Sequence, residues 1–204
     1  MTLQENKQFS IGYNDRVFIT GKTGSGKTTV AQYLLTPVKR LIVIDSQDSL
    51  GEEWYLTDYQ GKSDLRKIDQ KENYRIRLVS NMEHIIEVLN VAYASGDVIV
   101  YIDEVTALIN PRSNPPPIIE DIWKRGRKRN VGGWANTQRP SSIPLLFLSE
   151  AEHFFIFKLN LEADRKRMSE VTTKDVLIPP VDKYGFYYYS VSNDRLRYYK
   201  RLNI

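Results

Sequence analysis

The chain of 204 residues contains no cysteine. That excludes a disulfide framework, a thiolate zinc site and a cysteine nucleophile, so a metal ion here has to be held by oxygen. No apolar run approaches the roughly 18 residues needed to cross a bilayer. The opening MTLQENKQFS has neither the basic start nor the apolar stretch of a secretory signal. A soluble, intracellular protein is expected. Histidine is scarce: His84 and His153 stand alone and read as packing or surface residues. There is no internal repeat, no low-complexity segment and no Asn-Lys-x-Asp tetrapeptide of the kind that reads guanine. The composition is otherwise ordinary, 41% hydrophobic and 26% charged, as in chains that fold. The length suits one domain spanning 1–204. The net charge of +4 is modest, so attraction to a polyanion has to come from a local cluster.

Short β-branched runs alternate with longer helical patterns, which predicts an α/β fold with a mostly parallel central sheet flanked by helices. Strands are expected at 16–20, 40–45, 75–79, 98–103, 133–137 and 153–159. Several are apolar throughout, as strands covered on both faces must be. A helix should open at Ser80 with Glu83 as a capping box and stop at Gly96, burying Met82, Ile85, Ile86, Leu89 and Tyr93 on one face. The stretches 46–73 and 110–117 look irregular, the second because four prolines fall within it. The core is expected at about 14–160, followed by a C-terminal helix and hairpin over 161–204. The tail GFYYYSV-SNDR-LRYYKRL has the pattern of that β-hairpin, able to extend the sheet or meet a neighbouring subunit. Its tyrosines read as cross-strand pairs.

The chemistry begins after the first strand. Gly21-Lys22-Thr23-Gly24-Ser25-Gly26-Lys27-Thr28 matches G-x-x-x-x-G-K-[ST] in full and runs into a helical stretch from Thr29. Glycines at this spacing let backbone N–H groups converge on phosphates at the positive end of the helix dipole. Residues Gly21 to Thr29 are therefore the candidate nucleotide-binding loop. Lys27 would serve the β- and γ-phosphates, and the Thr28 hydroxyl a magnesium ion. A second element, VIVYIDE, is an aliphatic strand ending in two carboxylates. Asp103 suits the magnesium ion, and Glu104 suits the base that activates water. Gln138, just past another strand-like run, would sense the γ-phosphate or position the water.

GKTGSGKT, VIVYIDE and NTQRPS together resemble the FtsK–HerA superfamily of ring-forming, DNA-pumping ATPases, on the P-loop NTPase fold of the additional-strand, catalytic-glutamate (RecA-like) type. The length and layout are similar, more narrowly, to the genome-packaging ATPases of Sulfolobus turreted icosahedral viruses. The resemblance spans roughly residues 16–142, and TQRP after a DE-ended strand is its more specific part. It implies a homo-hexameric ring that hydrolyses ATP with Mg2+ and threads double-stranded DNA into a preformed capsid. It also implies contacts with capsid vertex proteins, no membrane partner, and a location in the host cytoplasm with transient association to the capsid.

Five of the six residues from Lys124 to Arg129 are cationic. Lys124, Arg125, Lys128 and Arg129 are candidate phosphate contacts on DNA. The same run equally suits the solvated C-terminal end of a helix resting on Ile118, Ile119, Ile122 and Trp123. No motif in cis offers a second cation for the transition state, so a neighbour is expected to supply an arginine finger. Arg127 is the candidate, because a helix break at Gly126 would free it. The alternative reading is a small-molecule or nucleotide kinase with this arginine-rich segment as its lid, which Glu104 disfavours because a base for water suits hydrolysis.

Overall fold

A computed structural model describes residues 9–110 and 113–202. Its strands are β1 (Arg16–Thr20), β2 (Arg40–Asp45), β3 (Thr57–Asp58), β4 (Tyr74–Leu78), β5 (Val98–Asp103), β6 (Val131–Thr137), β7 (His153–Phe157), β8 (Phe186–Ser190) and β9 (Arg195–Tyr199). Among the described residues they form one sheet in the order β3-β4-β2-β5-β6-β1-β7-β8-β9. Strands β1 to β7 run parallel, and β8 and β9 return antiparallel. The mostly parallel α/β fold and the C-terminal hairpin expected from the sequence are both present.

The apolar runs bury as their composition requires. Every residue of β1, β5, β6 and β7 is buried, because helices and loops cover both faces of the sheet. One face carries α1 (Lys27–Leu35), which packs Val30, Ala31, Leu34 and Leu35 on Ile19, Val43 and Tyr101. The other carries α2 (Lys62–Asp69), α3 (Met82–Ser95), α4 (Val105–Leu108), α5 (Pro117–Arg125), α6 (Leu146–Ser149) and α7 (Glu162–Val171). There Ile85, Leu89, Ile122, Trp123 and Met168 close a second apolar layer over Ile42, Val100 and Phe154. Aromatic pairs close the hairpin on itself, Phe186 stacking on Tyr199 at 5.2 Å and Tyr187 meeting Tyr198 at 5.4 Å. Others join it to β7, where Phe155 meets Tyr188 and Phe157 meets Phe186, each at 5.0 Å.

Three local expectations are corrected. The stretch 46–73 holds β3, α2 and a 3₁₀ turn at Glu52–Trp54. Its helix is short and polar, buries few apolar residues, and is anchored by buried Asp64, which accepts from Gln60 N at 2.7 Å. The cap of α3 is Asn81, whose side chain accepts from His84 N at 3.1 Å, one residue later than the Ser80 box. Pro117 opens α5 instead of closing a loop, since proline lacks only an N–H that the first helical turn leaves unpaired. Pro111, one of the four prolines, lies outside the described residues.

Candidate nucleotide-binding and hydrolysis site

In parallel sheets ligands gather beyond the carboxyl ends of the strands, and the three motifs meet there. The sheet order β5-β6-β1 puts β6 between the strand of Asp103 and the strand of the P-loop, which is the additional-strand arrangement. Gly21 leaves β1 at φ 154°, and a Cβ there would sit 2.5 Å from the Phe157 Cβ and 2.9 Å from the Ser25 Oγ. No side chain fits. The loop is pinned on both sides of β1: Gly21 N and the Thr20 hydroxyl donate to Thr137 O, and Lys22 N donates to Lys158 O at 2.9 Å. α1 starts at Gly26 with no side-chain cap, so its first N–H groups are available to an anion.

Lys27 is buried at the first turn of α1, with Nζ 3.2 Å from Lys22 O. Burial lowers its pKa, against the pull of Glu104 and Asp103 in the opposite direction. A phosphate chain would restore the counter-charge that burial strips away. Asp103, at the tip of β5, accepts from Tyr101 Oη at 2.6 Å and Asn136 Nδ2 at 2.8 Å, and Ser49 Oγ stands 3.4 Å from its other oxygen. Asp45 is its register partner on β2. Burial, together with Asp45 and Glu104, raises the Asp103 pKa against the two hydrogen bonds that lower it.

The folded chain thus holds a proton on Asp103 more tightly than the unfolded chain does. The charged carboxylate costs stability at neutral pH, and that cost fades as pH falls through the raised pKa. We predict that Asp103→Asn, whose Oδ1 can keep both acceptor contacts, melts higher than the parent at neutral pH. Each kcal/mol relieved is worth about 2–4 °C in a chain of this size. Scanning fluorimetry measures this, and a lower melting temperature at neutral pH would sink the argument.

Glu104 adopts φ 57°, ψ 78°, a left-handed conformation uncommon outside glycine. This bend carries its carboxylate across to β6. It accepts from the Thr106 hydroxyl, from the Thr137 hydroxyl at 2.7 Å and from Gln138 N at 3.1 Å. Gln138 in turn accepts through Oε1 from the Thr23 hydroxyl at 2.6 Å, so Glu104, Gln138 and the P-loop form one chain of hydrogen bonds. Thr28 is half-buried and Thr29 exposed at the mouth of the loop.

Tyr101, Asn136 and Thr137, which lie within VIVYIDE and NTQRPS but were assigned no role from the sequence, hold the carboxylates in place. Arg139 was also missed. It lines a cleft of about 400 Å³ with Lys22, Thr23 and Gln138 and donates from Nε to buried Asp164 at 3.1 Å. Its position directly after Gln138 was the available signal. Arg139 is thus a cation of the same chain in the cleft beside Gln138.

The structure does not bring Arg127 to the phosphates of its own chain. α5 stops at Arg125, as a break at Gly126 would have it, but Gly126, φ −56°, ψ −31°, leads straight into a 3₁₀ turn and the side chain of Arg127 is not freed. Arg127 pairs with Glu152 and with Asp15, the latter at 3.5 Å, at the amino ends of β7 and β1. The P-loop lies at the other end of β1, roughly 17 Å away by strand length. Lys124 and Arg125 pair with Glu120 and Asp121 one turn back, and Arg129 lies over the Tyr93 ring at 5.0 Å. The solvated helix end therefore describes much of this segment.

The fold and the site define a P-loop NTPase of the additional-strand, catalytic-glutamate class. No family model matches the chain. In sequence it is similar to the DNA packaging ATPase P9 of Enterobacteria phage PRD1, 24% identical over 200 residues that cover 86% of this chain and 82% of that protein. In structure it is similar to the genome packaging NTPase B204 from Sulfolobus turreted icosahedral virus 2 in complex with ATP-gammaS. That match has a TM-score of 0.79 at 16% identity and covers 95% of this chain and 100% of that one. B204, the DNA-packaging ATPase from Sulfolobus Turreted Icosahedral Virus, matches with a TM-score of 0.77 at 18% identity, over 93% of this chain and 98% of that one. The resemblance read from the sequence is found again in both kinds of comparison, and these relatives lend nothing to the kinase alternative. Among the described residues no helix is long and apolar enough to cross a membrane.

Proposed function

We propose that the chain is a magnesium-dependent ATPase that drives double-stranded DNA into a preformed viral capsid. The observation that carries the catalytic part is the linked arrangement of Lys27, Glu104, Gln138 and Thr23 around one P-loop. The similarity to packaging ATPases supports the DNA and the capsid. A homo-hexameric ring, docking on capsid vertex proteins and action in the host cytoplasm belong to the same reading.

The donors fit a hard divalent cation: the Thr28 hydroxyl and the buried Asp103 carboxylate are both oxygen ligands. Mg2+ held there supplies charge neutralisation to the phosphates. Glu104 takes the proton as the water oxygen bonds to the γ-phosphorus and the bond to the ADP oxygen breaks. Gln138 orients the water, and its bond to Thr23 ties that orientation to the state of the P-loop. Lys27 and backbone N–H groups of the loop hold the β- and γ-oxygens throughout.

Phosphate release is to be measured with and without double-stranded DNA, no other acceptor being present. We expect DNA to raise turnover. Replacing Lys124 and Lys128 with glutamate should lower DNA affinity and flatten its salt dependence by about one unit of slope for each lost phosphate contact. A chain that hydrolyses ATP with the same rate and the same salt response whether or not DNA is present is no DNA motor. An unchanged slope in the double variant makes the basic run an ordinary helix end.

A further inference from the structure

The sheet order gives any nucleotide on the P-loop a direction. Glu104 on β5 and Gln138 on β6 both lie on one side of β1, so the terminal phosphate points that way. The rest of the nucleotide has to run the other way, over β7, β8 and β9. A cleft of about 480 Å³ opens there, with Gly26 and Thr29 of the P-loop in its wall. This volume lies in the range of small-molecule sites.

The floor of the cleft is aromatic. Phe157 and Phe186 are buried, with ring centroids 5.0 Å apart. Tyr184 is half-exposed at the rim, and Arg201, just past β9, faces the same space. A Cβ on Gly26 would lie 3.4 Å from the Phe157 ring and 3.7 Å from that of Tyr184, so loop backbone and aromatic wall are contiguous. Lys183 sits over the Tyr184 ring, 5.1 Å from its centroid. Among the described residues, no carboxylate or carboxamide lines the cleft.

We propose that this cleft seats the base and ribose of the nucleotide, with the base stacked on Tyr184 and covered by Arg201. It favours purines over pyrimidines by stacking area. The lining supplies a π-face and a guanidinium, and a purine's two rings cover more of both than a pyrimidine's one. The proposal rests on the P-loop reading above and adds to it the residues and the selectivity of the base site.

Calorimetric titration with the magnesium salts of ADP, GDP, UDP and inorganic tripolyphosphate separates the two. Tyr184→Ala should weaken ADP and GDP by about 10-fold or more, the scale of one lost base–aromatic stack. It should leave tripolyphosphate unchanged, since that ligand has no base. Tyr184→Phe should bind all four like the parent, and Arg201→Ala should weaken the two purine nucleotides only. In the parent, UDP should be weaker than both ADP and GDP. The half-exposed ring leaves the core intact, so folding is not at stake. Tyr184→Ala binding ADP as the parent does would overturn the proposal, and so would its losing tripolyphosphate in equal measure. UDP bound as tightly as ADP would overturn the preference for purines. Lys27→Ala is the separate control: unchanged tripolyphosphate affinity in that variant sinks the P-loop reading, while the response of Tyr184→Ala still decides the cleft.

Discussion

The Glu104→Gln protein is expected to bind ATP as the parent does and to release phosphate about 10²–10⁴-fold more slowly, the range for removing a general base. The three donors that surround the carboxylate make this a clean substitution. An amide can turn its oxygen to Gln138 N and its amino group to the Thr106 and Thr137 hydroxyls, which then accept instead of donate. The left-handed backbone at residue 104 is untouched. Binding by calorimetry and turnover by phosphate release should therefore separate. Hydrolysis near the parental rate would remove Glu104 from the reaction. Loss of binding together with turnover would show instead that the substitution had disturbed the loop.

The Arg139→Ala protein is expected to lose roughly 10²–10³-fold in turnover, as other losses of a transition-state charge partner do. Arg139 stands in the cleft that contains Lys22 and Gln138. Asp164, its ion-pair partner, keeps two further donors in Ser141 N and Ser141 Oγ, so the fold should survive. Mixing distinguishes cis from trans. Arg139→Ala subunits combined with Glu104→Gln subunits should stay silent, because no site then has both groups on one chain. Arg127→Ala should retain turnover within about threefold, its side chain being tied to Glu152 and Asp15 at the far end of the sheet. If Arg127→Ala is silent alone and recovers on mixing with Glu104→Gln, the finger belongs to Arg127 and reaches across an interface.

The parts legible in the sequence were those whose physics is local. Phosphate binding needs glycines, a lysine and a helix start within eight residues, and a buried strand announces itself by an unbroken aliphatic run. The groups that hold the site in place were not legible. Tyr101 and Asn136 meet on Asp103 from strands 35 residues apart, and although each stands two residues before a marked group, Asp103 or Gln138, no spacing joins the one run to the other. Arg127 looked free because its partners Asp15 and Glu152 are distant in sequence. The base cleft joins residues of the P-loop to residues beyond 180, so no spacing could reveal it. Helix α2 was missed for a different reason: Leu65 and Ile68 are its only aliphatic residues, too few for a visible period.

Among the described residues, β1 comes first in the chain and is flanked in the sheet by two of the later strands. β1 is bonded on one side to β6, at Arg16↔Gly133 through Thr20↔Thr137, and on the other to β7, at Val17↔His153 through Thr20↔Ile156. As the polypeptide leaves the ribosome, the P-loop strand must wait for more than a hundred residues before either edge is paired. During that interval β2, β4 and β5 can assemble among themselves, since those three strands neighbour one another in the sheet. Competence to hold nucleotide is thus acquired only once β6 and β7 have been made. A truncated product lacking the residues after about 130 should retain a partial sheet, and it should fail to bind the phosphate chain although every residue of the glycine-rich loop is present.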